Sequence, residues 1–311
     1  MQQLQQFLHD AQPFYKEGHV ATYIPALSNV DPKLLAVSLI DGNGRAFQEG
    51  DYEHFFTLQS ISKVISFIFV CETYGIEQVL KYVDVEPTGD PFNSIIRLES
   101  HQPGKPFNPM INAGAITISS MLPGEQVEEK VSNLQSFIQK ITNERCEVSE
   151  EVFTSEWETA YRNRAIAYYL KANGYLQGDV EMALEAYLRQ CALLINVKQL
   201  AMIALVIAND GYHPLLKQQI FDVKIAKIAK ALMLTCGMYN ASGKFAAFVG
   251  LPAKSGVSGG ILCVAMDAQI EQLQGTIGIG IFGPAIDAVG NSVAGMRFLE
   301  ELSKHYHLSI F

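Results

Sequence analysis

The sequence predicts a mixed α/β (α+β) fold: an antiparallel sheet assembled from both ends of the chain, flanked by helices, with an all-helical insertion between its halves. Three observations carry this. Residues 34–40 read as a strand and run into Asp41-Gly42-Asn43-Gly44, a strong hairpin signal. Residues 61–235 show helical periodicity with few β-branched runs. Residues 244–250, 259–267 and 275–282 then return to Ile, Val, Phe and Gly in strand-like order.

Taken in order, residues 1–20 form an amphipathic opening helix that gives way to a loop at Gly18. The hairpin at 41–44 leads into a second strand at 45–48, and 55–58 reads as a third that delivers Ser60 to a helix. Helices are expected at 133–142, 163–172, 179–188 and 197–208. Their breaks are Gly174, a Gly178-Asp179 cap and the stretch 209–214. Residues 103–115 hold three prolines and two glycines, which argues for a shaped loop entering a helix near Asn112. Val293, Met296, Leu299 and Leu302 mark a terminal amphipathic helix. The expected organisation is a sheet unit of residues 1–60 and 240–311 and a helical unit of 61–239, with the active site between them.

The chain has 311 residues, 49% of them hydrophobic, enough for a sizeable core. Its net charge of -9 is scattered, and no basic patch marks a nucleic-acid partner. Five dispersed cysteines without a Cys-x-x-Cys pattern read as free thiols in a reducing compartment. The N-terminus lacks a basic and apolar leader. The most apolar helical stretch, 191–208, is interrupted by Asn196, Lys198 and Gln199 and is too short for a membrane span. A cytoplasmic protein without membrane attachment is expected.

The chemistry centres on Ser60 and Lys63. Lys63 is the sole charged residue between His54 and Glu72, in a segment apolar nearly all round the helical wheel. A lysine there must pair or lose its charge. At i and i+3 the two side chains share a helix face, about 5–6 Å apart at Cβ, so a hydroxyl stands beside an amine whose pKa burial lowers. That is a nucleophile beside a general base. Ser-x-x-Lys by itself recurs by chance; the apolar setting gives it weight. Lys254-Ser255-Gly256, before a strand, would by itself be a turn with an incidental lysine. Together the two motifs resemble the Ser-x-x-Lys helix and facing Lys-Thr/Ser-Gly strand of serine β-lactamases and penicillin-binding proteins. That resemblance implies their fold.

Longer segments narrow the class. Residues 104–116, Gly-Lys-Pro-Phe-Asn-Pro-Met-Ile-Asn-Ala-Gly-Ala-Ile, closely resemble a glutaminase signature. So do 21–27 around Tyr23, Ser155-Glu156 with 162–167, 184–191 around Tyr187, 233–243 around Tyr239 and 254–260. The resemblance runs in order from about residue 18 to 300 and is to bacterial glutaminases. It implies hydrolysis of the L-glutamine side-chain amide, with Ser60 as nucleophile and Lys63 as base. Tyr23 and Tyr239 would line the reaction centre, Tyr239 being the better donor to the leaving ammonia. Val257 and Ser60 would offer N–H groups to the oxyanion, and Asn112, Glu156, Asn163 and Tyr187 would hold the amino-acid end of the substrate. No metal or redox cofactor is called for, no His/Cys/Asp cluster has ligand spacing, and the family implies a homodimer or homotetramer.

Without that resemblance each residue has a plainer reading. Tyr23 and Tyr187 would be core tyrosines, Tyr239 and Val257 loop packing, Asn163 a helix cap, and Glu156 a solvated charge or the partner of Arg162. Two rivals share the site. A β-lactamase or transpeptidase is disfavoured by the missing leader and the lack of a Ser-Asp-Asn element. A ligand-binding sensor is disfavoured by the intact Ser60/Lys63 pair.

Overall fold

The structure is a computed structural model that describes residues 1–96, 98 and 104–311. Pro103, which opens the expected loop, lies outside the described residues.

Both ends of the chain build one five-stranded antiparallel sheet. Its strands are β1 (Ala36–Asp41), β2 (Ala46–Gly50), β7 (Ala253–Ser255), β8 (Gly260–Ile270) and β9 (Leu273–Phe282), in the order β2-β1-β9-β8-β7. The Asp41 carboxylate closes the hairpin, accepting from the N–H groups of Asn43 and Arg45. The period-two pattern sorts the faces. Val37, Leu39, Ile261, Cys263, Ile277, Ile279 and Ile281 pack with α1 (Gln2–Ala11) and α12 (Val293–Tyr306). Their alternates Ala36, Leu262, Val264 and Phe282 join the larger core with α2 (Ser62–Tyr74) and α9 (Val197–Ala208). On β9 the alternates are Gly278 and Gly280, and α9 lies so close that a Cβ on Gly278 would come within 2.0 Å of the Ala201 carbonyl oxygen.

The other helices are α3 (Ile76–Val79), α4 (Asn112–Ser120), α5 (Val127–Thr142), α6 (Glu150–Thr159), α7 (Tyr161–Ala172), α8 (Val180–Cys191), α10 (Val223–Cys236) and α11 (Ser242–Phe248). Asp179 caps α8 by accepting from Met182 N–H, as its position before the apolar run predicts. Among the described residues no helix is long and apolar enough to cross a membrane.

Two elements depart from expectation. Residues 244–250 were expected as a strand and are mostly the helix α11. Ala246 and Ala247 favour helix, and Phe245 and Val249, four apart, are both buried while Phe248 points outward. The third strand exists as β3 (Phe56–Thr57), yet it pairs with β4 (Leu194–Ile195) rather than the main sheet. A third ladder joins β5 (Tyr212–His213) to β6 (Gln218–Gln219).

Gly278→Ala should lower stability by about 3 kcal/mol, because α9 must retreat to admit a methyl. Gly243→Ala, on open helix surface, should be neutral or stabilising by up to about 1 kcal/mol. Urea midpoints of the two variants check the contrast.

Candidate active site

Ser60 stands where three stretches of chain meet. Ahead of it, β3 is pinned to β4, and Leu58 N–H donates to Leu193 O at 2.8 Å. Gln59 takes a left-handed φ of +48°, and Gln59–Ile61 form one 3₁₀ turn that feeds α2. Such a φ on a residue with a Cβ costs about 1 kcal/mol or more. The turn leaves Ser60 partly exposed while the residues from Ile61 to Ile68 are buried.

The segment after β7 docks onto this turn. Ser258 Oγ donates to Thr57 O at 2.7 Å. Gly256 lies so close that a Cβ there would sit 2.7 Å from Leu58 O. Gly256–Gly259 is a tight turn closed by Gly259 N–H to Gly256 O, and among the described residues no acceptor pairs with the Val257 N–H. An unspent donor is thus held beside the serine turn.

Lys63 is 0% exposed. Its Nζ donates to Met110 O at 3.2 Å and to Asn112 Oδ1 at 2.7 Å rather than to Ser60. Burial lowers its pKa to about 8, and the nearby Cys191 and Glu156 offset part of the drop. The acceptors come from the loop anticipated around residues 103–115. Asn108 Oδ1 takes the N–H groups of Met110 and Ile111, and Asn112 N–H donates to Phe92 O, so the loop enters α4 with both acceptors aimed at the amine.

Asn112 is the hub of the polar network. Its Oδ1 also accepts from Tyr187 OH at 3.3 Å, and its Nδ2 donates to Asn163 Oδ1 at 2.9 Å. Asn163 is the third residue of α7, not its cap. Glu156, on α6, accepts from Gln59 Nε2 at 3.0 Å, while Arg162 donates instead to Asn93 O. Burial raises the Glu156 carboxyl to about 7, against the opposing pull of Gln59 and Lys63.

Tyr239 lies across the site in a left-handed backbone, φ +52°. Its buried hydroxyl has no partner of hydrogen-bonding geometry, though Ser60 is close enough to oppose the rise that burial imposes on the phenol. Tyr23 sits at the mouth, 59% exposed. Enclosure of its hydroxyl end, then Tyr239 and Glu156, push its phenol upward. Ser60, Lys63, Asn112, Glu156, Asn163, Tyr187, Tyr239, Tyr23 and Val257 therefore gather in one place.

Three neighbours escaped the sequence reading. Gln59 binds Glu156, Phe92 lies under the Lys63 amine with its ring centre 5.8 Å away, and Cys191 meets Ser62 Oγ at 3.8 Å with its thiol pushed up to about 12 by burial. For Gln59 the signal was adjacency to Ser60 and for Cys191 its place at the end of the segment 184–191; for Phe92 there was none. Among the described residues no group of three His, Cys, Asp or Glu is placed to hold a metal ion.

Comparison with known proteins gives one family. The glutaminase family model matches residues 18–311. Glutaminase 2 of Bacillus cereus is 56% identical over 310 residues, covering 99% of this chain and 95% of that protein. A crystal structure of a probable glutaminase of Bacillus subtilis superposes with a TM-score of 0.93 at 52% identity, covering 99% of this chain and 97% of that one. A second Bacillus subtilis structure, a covalent complex of the glutaminase YbgJ with 5-oxo-L-norleucine formed from 6-diazo-5-oxo-L-norleucine, superposes at 0.90 with 49% identity over 99% of each chain.

A carboxyl whose pKa rises on folding favours the protonated protein, so its stability contribution is full below the unfolded value and is lost as pH rises through about 7. Glu156→Gln should therefore raise the urea midpoint at pH 8, with the gain shrinking toward pH 5.

Proposed function

The chain belongs to the glutaminase family, and from that premise we propose that it hydrolyses the side-chain amide of L-glutamine through an acyl-enzyme on Ser60, with Lys63 as general base. The observation that carries this reading is the wholly buried Lys63 amine, three residues beyond Ser60 and lowered to about 8. An amine with that pKa is deprotonated often enough near neutral pH to take a serine proton, and basic enough to do so. The covalent adduct formed by the Bacillus subtilis relative with a glutamine-like diazoketone supports a nucleophilic route.

Lys63 draws the Ser60 proton as Oγ attacks the amide carbon. The N–H groups of Ser60 and Val257 take the oxyanion. As the intermediate collapses, the C–N bond breaks with its electron pair on nitrogen, nitrogen takes the Tyr239 proton, and ammonia leaves. The phenolate recovers a proton from the Lys63 ammonium. Water then hydrolyses the γ-glutamyl ester by the same groups in reverse roles. Glu156 pairs with the substrate ammonium, Asn112, Asn163 and Tyr187 take its carboxylate, and Tyr23 closes over the bound amino acid. Holding both charged ends sets the amide carbon about 3–3.5 Å from Oγ.

The Ser-x-x-Lys helix beside the Lys254 strand supports kinship with the serine β-lactamases. The site then lies between a sheet unit, 1–60 with 240–311, and a helical unit, 61–239. A cytoplasmic homodimer or homotetramer completes the reading, and the five free thiols accord with a reducing compartment.

Ser60→Ala and Lys63→Ala should each lower ammonia release from glutamine by at least about 10³-fold with the fold intact by circular dichroism; substantial release from either removes this mechanism. kcat/KM should climb with pH and level off above about 8 as Lys63 loses its proton, and KM should rise below about 7 as Glu156 is protonated. A flat profile from pH 6 to 9 would assign the base elsewhere.

A further inference from the structure

Asp287 to Asn291 form a turn between β9 and α12 to which the reaction sequence above gives no task. A single oxygen locks it. Asp287 Oδ1 accepts from the N–H groups of Val289, Gly290 and Asn291 at 2.9, 2.8 and 2.9 Å. Asp287 N–H donates to Asn291 O at 2.8 Å, and Ile286 bridges to Ser292 at the base of the turn. A short side chain that binds the backbone just after it is the way Asp and Asn fix a turn, and an ionised acceptor strengthens each bond.

The turn lies against two groups of the site at once. Gly290 is buried with φ +110°, and a Cβ on it would stand 3.2 Å from Val257 Cγ1 and 3.3 Å from Tyr239 Cε2. Contacts this close pass a displacement of the turn to both residues. Asn291 ties the same turn to the chain on either side: its Oδ1 accepts from Ser255 Oγ at 2.6 Å and its Nδ2 donates to Met238 O at 3.4 Å. His19, four residues before Tyr23, exchanges backbone bonds with Ile286 at 3.0 and 2.9 Å. The residues assigned to the amino-acid end of the substrate stand apart. Among the described residues no hydrogen bond joins Asn112, Glu156, Asn163 or Tyr187 to the turn.

We propose that Asp287 is a positioning residue for the chemical steps: by locking the turn 287–291 it holds Gly290 against Val257 and Tyr239, and so sets the oxyanion N–H and the proton-donating hydroxyl around Ser60. The inference rests on the roles proposed above for Val257 and Tyr239. Asp287 touches neither substrate nor Ser60 in this scheme and acts through those two residues.

A split between chemistry and binding separates this role from a merely structural one. Asp287→Ala, Asp287→Asn and Gly290→Ala are compared with wild type for kcat and KM on L-glutamine and for the Kd of L-glutamate by calorimetry. Asp287→Ala should lose about 10²-fold in kcat, with KM and the L-glutamate Kd within about threefold of wild type. Asp287→Asn, which keeps the Oδ1 acceptor, should recover kcat to within about fivefold of wild type. Gly290→Ala, which leaves the carboxylate intact and sets a methyl against Val257 and Tyr239, should lose kcat in the same way. Unchanged kcat in Asp287→Ala, or a loss of L-glutamate affinity as large as the loss of kcat, overturns the positioning role. So does an Asp287→Asn variant as impaired as Asp287→Ala, which would assign the effect to charge, and so does full turnover by Gly290→Ala. No ammonia release from the wild type overturns the hydrolase reading and this inference with it, whereas an active wild type beside an unimpaired Asp287→Ala overturns the inference alone. Should Asp287→Ala not fold, Asp287→Ser, whose shorter side chain reaches fewer of the three N–H groups, reads the same split.

Discussion

Lys63 and Lys254 are both wholly buried, and among the described residues neither lies within ion-pair distance of a carboxylate. Burying an ammonium without a counter-ion costs several kcal/mol, and the surroundings are arranged around that cost. Each amine is met by oxygens instead: Met110 O and Asn112 Oδ1 for one, Gly237 O and Ser255 O for the other. A proline-rich loop must be in place before Lys63 is enclosed, and a helix C-terminus and an edge strand before Lys254 is. The enclosure lowers the Lys63 amine to about 8, so the constraint that shapes the core also sets the protonation of the amine three residues from Ser60.

Two of the eight non-glycine residues with a left-handed backbone among those described lie in the same volume. Gln59 and Tyr239, both with side chains, hold left-handed backbones next to the serine and across from it. Gln59 is bound by Glu156, and the residues around Tyr239 are bound by Ser242 and Asn291. Such conformations persist where surrounding bonds over-determine them. Here they turn one hydroxyl outward from a buried helix and another inward from a loop.

Much of this was legible in the sequence. Lys63 could be read as special because a long apolar run contains no other charge. Asp41 to Gly44 announced their hairpin, and the strands of both termini showed their period. The glutaminase-like segments singled out the other candidate residues, which the structure gathers around Ser60. What stayed hidden depends on partners distant in sequence. Two-residue strands carry no period, so β3 could not be assigned to β4. Residues 244–250 contain Phe and Val in strand-like numbers, and the buried Phe245 and Val249, four apart, decide for a helix. Gln59 offered only its place beside Ser60, since what it does lies in a torsion angle and a bond to Glu156 ninety-seven positions away.

The pairing of β1 with β9, Ala36 opposite Phe282, has a consequence for how the molecule is made. The strand at Ala36–Asp41 must wait, unpaired on that side, for the strand at Leu273–Phe282 to be made. Contacts of such high sequence separation form slowly, because loop closure comes before their reward. Ser60 and the Val257 turn are brought together by the same late event, so Ser60 stays without its neighbours in the site until that turn and the strands after it have been made. Assembly of the candidate site is thereby tied to the arrival of strands β7 to β9.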